Sequence, residues 1–176
     1  MCFFFLCLKT KKEIKKIQAG NDKSPFPAIV ETPIEVAVSG KEVPYELLKK
    51  NGWRINDAQK VTFSFNSFCS YLKYCRGEFS VCKNVFVENN TGWFSDKSAA
   101  YLATGRPVVL QNTGFNKYLP VGEGLFSFDN VEDAKEAILE IESNYEFHSS
   151  RVREIACEYL DAKKVMKEFL NELGLK

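Results

Sequence analysis

The sequence lacks several features that would assign a protein to a functional class directly. Its 176 residues include one histidine, no cysteine pair spaced as CxxC, and no repeated segment. No apolar run approaches the ~20 residues that span a membrane. Lysine and arginine number 24 against 23 aspartates and glutamates, a formal charge of +1. Because nucleic-acid binding requires a basic excess that neutralises phosphates, this balance argues against a nucleic-acid binder.

The cysteines follow no metal-binding or disulfide pattern. Intervals of six and seven residues separate Cys69, Cys75 and Cys82, which does not match a zinc site, and the chain is long for a disulfide scaffold. We therefore expect reduced thiols, packed as small hydrophobic side chains, in a cytoplasmic protein without metal or other cofactor. The single histidine, His148, lies in a charged helical stretch and is expected to be exposed rather than a general base.

The composition is that of a globular protein with a distinct beginning. Hydrophobic residues make up 45% of the chain and charged residues 27%. Residues 1–8 (MCFFFLCL) are apolar but have neither a basic region before them nor a cleavage site after them, and residues 9–23 carry six lysines. We expect residues 1–32 to be an irregular leader, the remnant of a truncation, without stable membrane insertion. Residues 33–176 are expected to form one domain.

From residue 33 onward, short β-branched or aromatic runs alternate with helical periods. This alternation predicts an α/β fold with a mostly parallel sheet and long C-terminal helices. The expected strands include residues 34–38, 53–55, 85–88 and 108–111. The expected helices cover residues 45–51 and 67–74 and a segment from Ser95 or Asp96 to Ala103. A long helix capped by Asp129 or Asn130 has apolar positions from Val131 to Tyr145, an amphipathic stretch follows from Val152 to Tyr159, and Asp161 caps the last helix.

Residues 85–115 contain the pattern most typical of a ligand site. A helix that begins at the carboxyl end of a parallel strand offers backbone N–H groups and the positive end of its dipole to an anion. The glycine loop before the helix at Ser95 therefore predicts a phosphate site near residues 92–98. The residues nominated for binding are Gly92, Trp93, Phe94, Ser95, Lys97, Ser98, Thr113 and Gly114.

The order of motifs in this half of the chain resembles a known family. The motifs are RGEFSVCKN at residues 76–84, GWFSDKS at 92–98, YLATGRPVV at 101–109, QNTGF at 111–115 and PVGEGL at 120–125. Together they are similar to the C-terminal, donor-binding domain of GT-B glycosyltransferases, and most similar to a little-characterised bacterial group of glycosyltransferase-like proteins. The similarity covers about residues 35–174.

The resemblance implies a three-layer Rossmann-like domain, the second half of a GT-B enzyme, that binds a nucleotide-sugar donor. Aligned on the GRP motif at residues 105–107, the family's two glutamates fall at Gly92 and Ala100, neither of which is acidic. The basic residues nominated to neutralise the donor diphosphate are Arg76, Lys83 and Lys97. Glu123, in a glycine turn, is the candidate catalytic carboxylate, with a solvated turn residue as the alternative.

Three functions follow from these observations. The first is an enzyme half completed by an N-terminal glycosyltransferase domain on another chain. The second is a free-standing Rossmann-like module that binds a nucleotide or a partner without catalysis. The third is an interaction protein that uses its cleft face and C-terminal helices. In the first case we expect an exposed, partly apolar concave surface around Trp93, Phe94, Phe115 and Leu125, and self-association.

Overall fold

The computed structural model describes residues 26–30, 32–40 and 43–175. Most of the expected leader, with Cys2 and Cys7, lies outside the described residues. The part of the leader that is described belongs to the core. Phe26 and Val30 are each 1% exposed, and the Phe26 ring stacks on Phe79 with 4.5 Å between centroids. The folded domain therefore includes residues before Pro33.

The described chain forms two parallel sheets. The strands are β1 (Glu35–Val38), β2 (Arg54–Asp57), β3 (Glu78–Ser80), β4 (Val108–Gln111) and β5 (Leu125–Phe128). Strand β1 pairs with β2, and the second sheet has the order β3-β4-β5. All pairings are parallel, with Val38 opposite Asp57 and Gln111 opposite Phe128 at the carboxyl ends. Each sheet therefore has one edge where all its strands end and where the following loops begin.

Helices and a short 3-10 turn connect the strands. The helices are α1 (Phe26–Ile29), α2 (Tyr45–Lys50), α3 (Ala58–Val61), α4 (Phe65–Tyr74), α5 (Asn84–Glu88), α6 (Asp96–Ala103), α7 (Val131–Ser143), α8 (Tyr145–Tyr159) and α9 (Ala162–Glu172), and the 3-10 turn covers Phe115–Lys117. Side chains cap several of them, as at Asn130, which exchanges hydrogen bonds with Asp133 in a capping box.

The core lies on both faces of the sheets. Successive strand residues point to opposite faces, and they separate accordingly: Val36 and Val38 pack in one hydrophobic cluster, and Ala37 in the other. The first cluster contains side chains of α2 and α7, and the second contains side chains of α4, α6 and α8. This arrangement confirms an α/β fold with parallel strands and helices on both sides.

The run at residues 85–88 is a helix and not the expected strand. These residues belong to α5. The strand of this region is β3, which begins at Glu78, seven residues before Val85. The reason is that a short apolar run has no periodicity that separates strand from helix. Val85 is 54% exposed, which a strand buried on both faces would not allow. The sequence pattern did not indicate β3, because two of its three residues are the buried polar Glu78 and Ser80.

The long helix expected after Asn130 forms as α7 but ends before Tyr145, the last apolar position of its expected face. Helix α7 ends at Ser143, and α8 begins at Tyr145 after Asn144, whose φ and ψ of −144° and 58° are not helical. The Tyr145 hydroxyl donates a hydrogen bond of 2.7 Å to the carbonyl of Arg76, which fixes the start of α8 against the segment before β3. Within the described residues, no helix has both the length and the apolar character that a membrane crossing requires.

Helix α9 packs little against the rest of the chain. All its residues are exposed, including an apolar stripe of Val165, Met166, Phe169 and Leu170. We expect a chain that ends at Leu160 to keep its fold, with the free energy of unfolding changed by less than about 1 kcal/mol, because exposed residues contribute little to stability. Urea denaturation of the two chains measures this. A loss of several kcal/mol would show that α9 supports the core.

Candidate functional site

Two loops meet at the carboxyl end of β4. The first, residues 89–95, is called the glycine loop, and the second is residues 112–114. The N–H of Gly92 donates to the carbonyl of Thr113, and the Thr113 hydroxyl donates to the carbonyl of Trp93, each over 2.7 Å. Gly114 has a φ of +89°, and a Cβ there would lie 3.1 Å from the carbonyl oxygen of Asn90. The two loops therefore hold each other in one arrangement.

Helix α6 begins at the end of the glycine loop, as expected. The hydroxyl of Ser95 caps it by accepting the N–H of Lys97 over 3.2 Å. Asp96 Oδ1 accepts the same N–H over 2.8 Å. The positive end of the helix dipole thus faces the glycine loop, where it favours a negative charge. The exposed carboxylate of Asp96 partly offsets this potential.

Trp93 presents an aromatic surface beside this helix start. It is 47% exposed, and its ring stacks on Phe86 of α5 with centroids 4.7 Å apart and planes 10° apart. Phe94 instead turns inward and contacts the buried Phe115, with 5.6 Å between ring centroids. Because Phe86 holds the Trp93 ring from one side, the exposed part of the ring is a preorganised surface for a flat or apolar ligand group.

Lys97 points into the protein. Its Nζ lies 2.8 Å from Glu78 Oε1 and 2.8 Å from the Ser80 hydroxyl, both on β3. The Ser80 hydroxyl donates to the same Glu78 oxygen over 2.6 Å. The Glu78 side chain is 0% exposed and that of Lys97 is 16% exposed. Lys97 therefore neutralises a buried carboxylate and fixes α6 to β3. Sequence reasoning missed Glu78 because nothing in the motif RGEFS indicates that its acid is buried.

Several other nominated residues are buried. Ser98, Thr113 and Leu125 are 0% exposed and Phe115 is 1% exposed, and Gly114 is also buried. The Ser98 hydroxyl has no hydrogen-bond partner among the described residues. These residues belong to the interior and are not available to a ligand. The expectation of an exposed concave surface around Trp93, Phe94, Phe115 and Leu125 is therefore wrong for the last two, which belong to the core.

Glu123 and Arg76 lie away from the two loops. Glu123 precedes β5 and Arg76 precedes β3, so both lie toward the amino ends of the strands, whereas the loops follow the carboxyl ends. Each forms an ion pair there: Glu123 with Arg151 over 2.8 Å, and Arg76 with Glu142 over 2.9 Å. The structure thus gathers Gly92, Trp93 and Ser95 at one edge and places the nominated catalytic carboxylate at the opposite one.

His148 is buried, contrary to the expectation of an exposed residue. It is 1% exposed and packs edge-on against the rings of Phe126 and Phe147, with centroids 5.4 and 5.1 Å away. Its Nε2 lies 3.6 Å from Glu140 Oε1. The charged residues near His148 in sequence point outward, whereas His148 faces β5. The composition of the stretch therefore did not indicate the orientation of the His148 side chain.

The cysteines divide by burial. Cys75 and Cys82 are buried as expected, Cys69 is partly buried and Cys157 is exposed. Burial raises the pKa of the Cys75 thiol to about 11, although the hydroxyls of Tyr101 and Tyr71 act in the opposite direction. Burial also raises the pKa of both tyrosines. These groups are therefore neutral at pH 7, and Cys75 is a packing residue rather than a nucleophile.

The fold is α/β with parallel strands, and the two loops and the start of α6 meet at the carboxyl end of β4. In comparisons with known proteins, no family model and no curated protein matches this chain. In the part of the chain that the structure describes, no three histidine, cysteine, aspartate or glutamate side chains are grouped as metal ligands.

Proposed function

We propose that this chain is the donor-binding half of a glycosyltransferase and that it holds a nucleotide-sugar diphosphate at the glycine loop and the start of α6. The observation that carries the proposal is the convergence of two interlocked loops, a capped helix N-terminus and the exposed Trp93 at one carboxyl edge. In parallel α/β sheets, ligands bind outside this edge. The motif order that resembles GT-B donor-binding domains supplies the ligand class.

In glycosyl transfer, the bond between the anomeric carbon and the diphosphate oxygen breaks, and an acceptor hydroxyl forms the new bond to that carbon. Negative charge grows on the leaving diphosphate, where backbone N–H groups and the dipole of α6 stabilise it. Lys83, exposed three residues after the end of β3, adds a positive charge at the same edge. The exposed face of Trp93 receives the base or the sugar.

The residue nominated for catalysis does not supply a base for the acceptor proton at this edge. Glu123 lies at the opposite edge, and Lys97 and Glu78 neutralise each other in the interior. The proposal therefore assigns the base and the acceptor site to a second domain, which covers the glycine loop from outside. Lys97 acts as a positioning residue, because it holds α6 in place and does not face the ligand.

A module that binds a nucleotide or a partner without catalysis is the second candidate. The non-acidic Gly92 and Ala100, which align with the family's two glutamates, favour it, as does the distance of Glu123 from the loops. An assay for nucleotide released from a nucleotide-sugar separates the two candidates. The enzyme half, together with its partner domain, should release the nucleotide. A pure binding module leaves the nucleotide-sugar intact under all conditions.

Tryptophan fluorescence tests the proposed site directly. Trp53 is 4% exposed and Trp93 is 47% exposed, so a Trp53→Phe variant reports on Trp93 alone. We expect UDP or GDP to change its emission saturably, and the Trp93→Phe variant, which reports on Trp53, to show no change. Asp96→Asn should tighten diphosphate binding about two- to fivefold, because it removes a negative charge from the helix start. A response that is the same for both tryptophan variants, or absent at millimolar nucleotide, contradicts the site.

A further inference from the structure

A cavity that is remote from the glycine loop in sequence lies at the carboxyl ends of β1 and β2. Its volume is about 460 Å³, and its apolar lining includes Val38 and Ile55. Its polar lining includes Ser39, Asp57 and Gln59. An adjoining cavity of about 460 Å³ shares Asp57 and Gln59 with the first. Each volume falls in the range of about 300–1,000 Å³ that is typical of small-molecule sites.

Asp57 lies where the two cavities meet and has unused acceptor capacity. Its Oδ1 accepts the Ser39 hydroxyl over 2.6 Å and the Gln59 N–H over 2.9 Å. These two donors hold the pKa of the carboxyl below its usual range, so it is ionised at pH 7. A carboxylate has about four acceptor positions. The backbone N–H of Lys60 lies near the carboxylate as a further donor. Because the Ser39 and Gln59 hydrogen bonds both fall on Oδ1, the carboxylate keeps acceptor capacity for a ligand.

The charges around Asp57 favour a neutral ligand that donates hydrogen bonds. The carboxylate repels an anion, and Lys60, in the wall of the adjoining cavity, partly offsets its attraction for a cation. Two neighbouring hydroxyls on a sugar ring match both carboxylate oxygens, because each can donate one charge-assisted hydrogen bond.

The adjoining cavity supplies an aromatic surface for the rest of such a ligand. Phe63 in its wall is 86% exposed. The flat face of this exposed ring suits a nucleobase or the C–H face of a sugar. A carboxylate beside an aromatic face is thus suited to a compound with a polar diol and a flat apolar side.

We propose that the cavity between β1 and β2 binds the vicinal diol of a sugar ring, with Asp57 accepting both hydroxyls and Phe63 contacting the remainder of the ligand. The diol belongs to the ribose of a nucleoside or to a free sugar. Nothing in this proposal depends on the glycine loop or on transfer chemistry.

Titration of the ¹⁵N-labelled chain with phosphate-free probes tests the site. The probes are uridine, 2′-deoxyuridine, which lacks one hydroxyl of the diol, and methyl glucoside. We expect uridine to shift the amide signals of Ser39, Gly40 and Gln59, and 2′-deoxyuridine to bind at least about tenfold more weakly, because a hydrogen bond to a charged group is lost. Shifts caused by methyl glucoside alone would identify a free sugar as the source of the diol.

Asp57→Asn should weaken the binding of the diol-bearing probe at least about tenfold, because it removes the negative charge that accepts the two hydroxyls. Asparagine is also a good N-cap, so α3 should remain folded. Asp129→Asn, at the end of β5 and outside both cavities, is the matched control and should bind as the unaltered chain does. Equal affinity for uridine and 2′-deoxyuridine, unchanged binding by Asp57→Asn, or no shift with any of the three probes would overturn the proposal. A failed nucleotide response at Trp93 would leave this result unaffected.

Discussion

Replacing Lys97 with methionine is expected to lower the free energy of unfolding by about 3 to 5 kcal/mol, because it leaves a buried carboxylate without its counter-charge. Glu78 is 0% exposed, and one of its oxygens, Oε2, already lacks a hydrogen-bond partner among the described residues. Ser80 would remain as a donor to Oε1, but a hydroxyl carries no compensating charge. Urea denaturation at pH 7 measures the loss.

Two further variants separate the charge effect from the loss of packing. Methionine keeps much of the length of lysine, so Glu78→Gln combined with Lys97→Met should recover a large part of the stability that the single change removes. Lys49→Met breaks an exposed pair with Glu46, whose side chains are 63% and 91% exposed, and should change stability by less than about 1 kcal/mol. If the double variant were as unstable as Lys97→Met, the buried charge would not be the cause.

The elements that the sequence predicted well carry their signals locally. Strand β4 covers residues 108–111 as expected, and α6 begins after the Ser95 cap and ends before Gly105, whose φ is +71°. Asn130 and Asp161 cap α7 and α9. A capping side chain or a glycine with positive φ acts within three or four residues, so its effect is visible in the sequence without knowledge of the fold.

The failures concern elements whose state depends on distant contacts. Residues 85–88 have the composition of a strand, but β3 already occupies the position beside β4, and α5 forms in the following connection. His148 follows charged neighbours in sequence, yet the approach of α8 to β5 buries it. Phe26 lies in the expected leader, and its partner is Phe79, more than fifty residues away. None of these contacts has a local signature.

The candidate site shows the same division. A glycine loop before a capped helix is a local pattern, and the structure brings Gly92, Trp93 and Ser95 to one edge as the pattern indicates. The direction of the Lys97 side chain depends on Glu78, which lies nineteen positions earlier in the chain on another element. The edge at which Glu123 lies depends on where β5 begins, which is settled by its pairing with β4. Lys97 and Glu123 were therefore predicted to contact the ligand without knowledge of the contacts that direct them elsewhere.

Gly124→Ala is expected to lower the free energy of unfolding by about 3 kcal/mol or more, because the added methyl group meets both backbone strain and a steric clash. Gly124 has a φ of +83°, in the left-handed region. A Cβ there would overlap the carbonyl oxygen of His148 and lie 2.5 Å from Cγ1 of Val152, both on α8. The melting temperature should fall by about 6 to 12 °C at this chain length.

Gly122→Ala is the matched control, because Gly122 shares the strain without the clash. Its φ is +105°, and a Cβ there would meet no atom within 4 Å. It should therefore cost only about 1 kcal/mol. The carbonyl of Gly124 accepts the N–H of Val108 over 2.8 Å, so displacement of residue 124 also disturbs the pairing of β4 with β5, whereas Gly122 is outside this ladder. If both variants lost the same free energy of unfolding, α8 would be able to move away from residue 124 without loss of stability. The close approach of α8 to β5 would then not stabilise the fold.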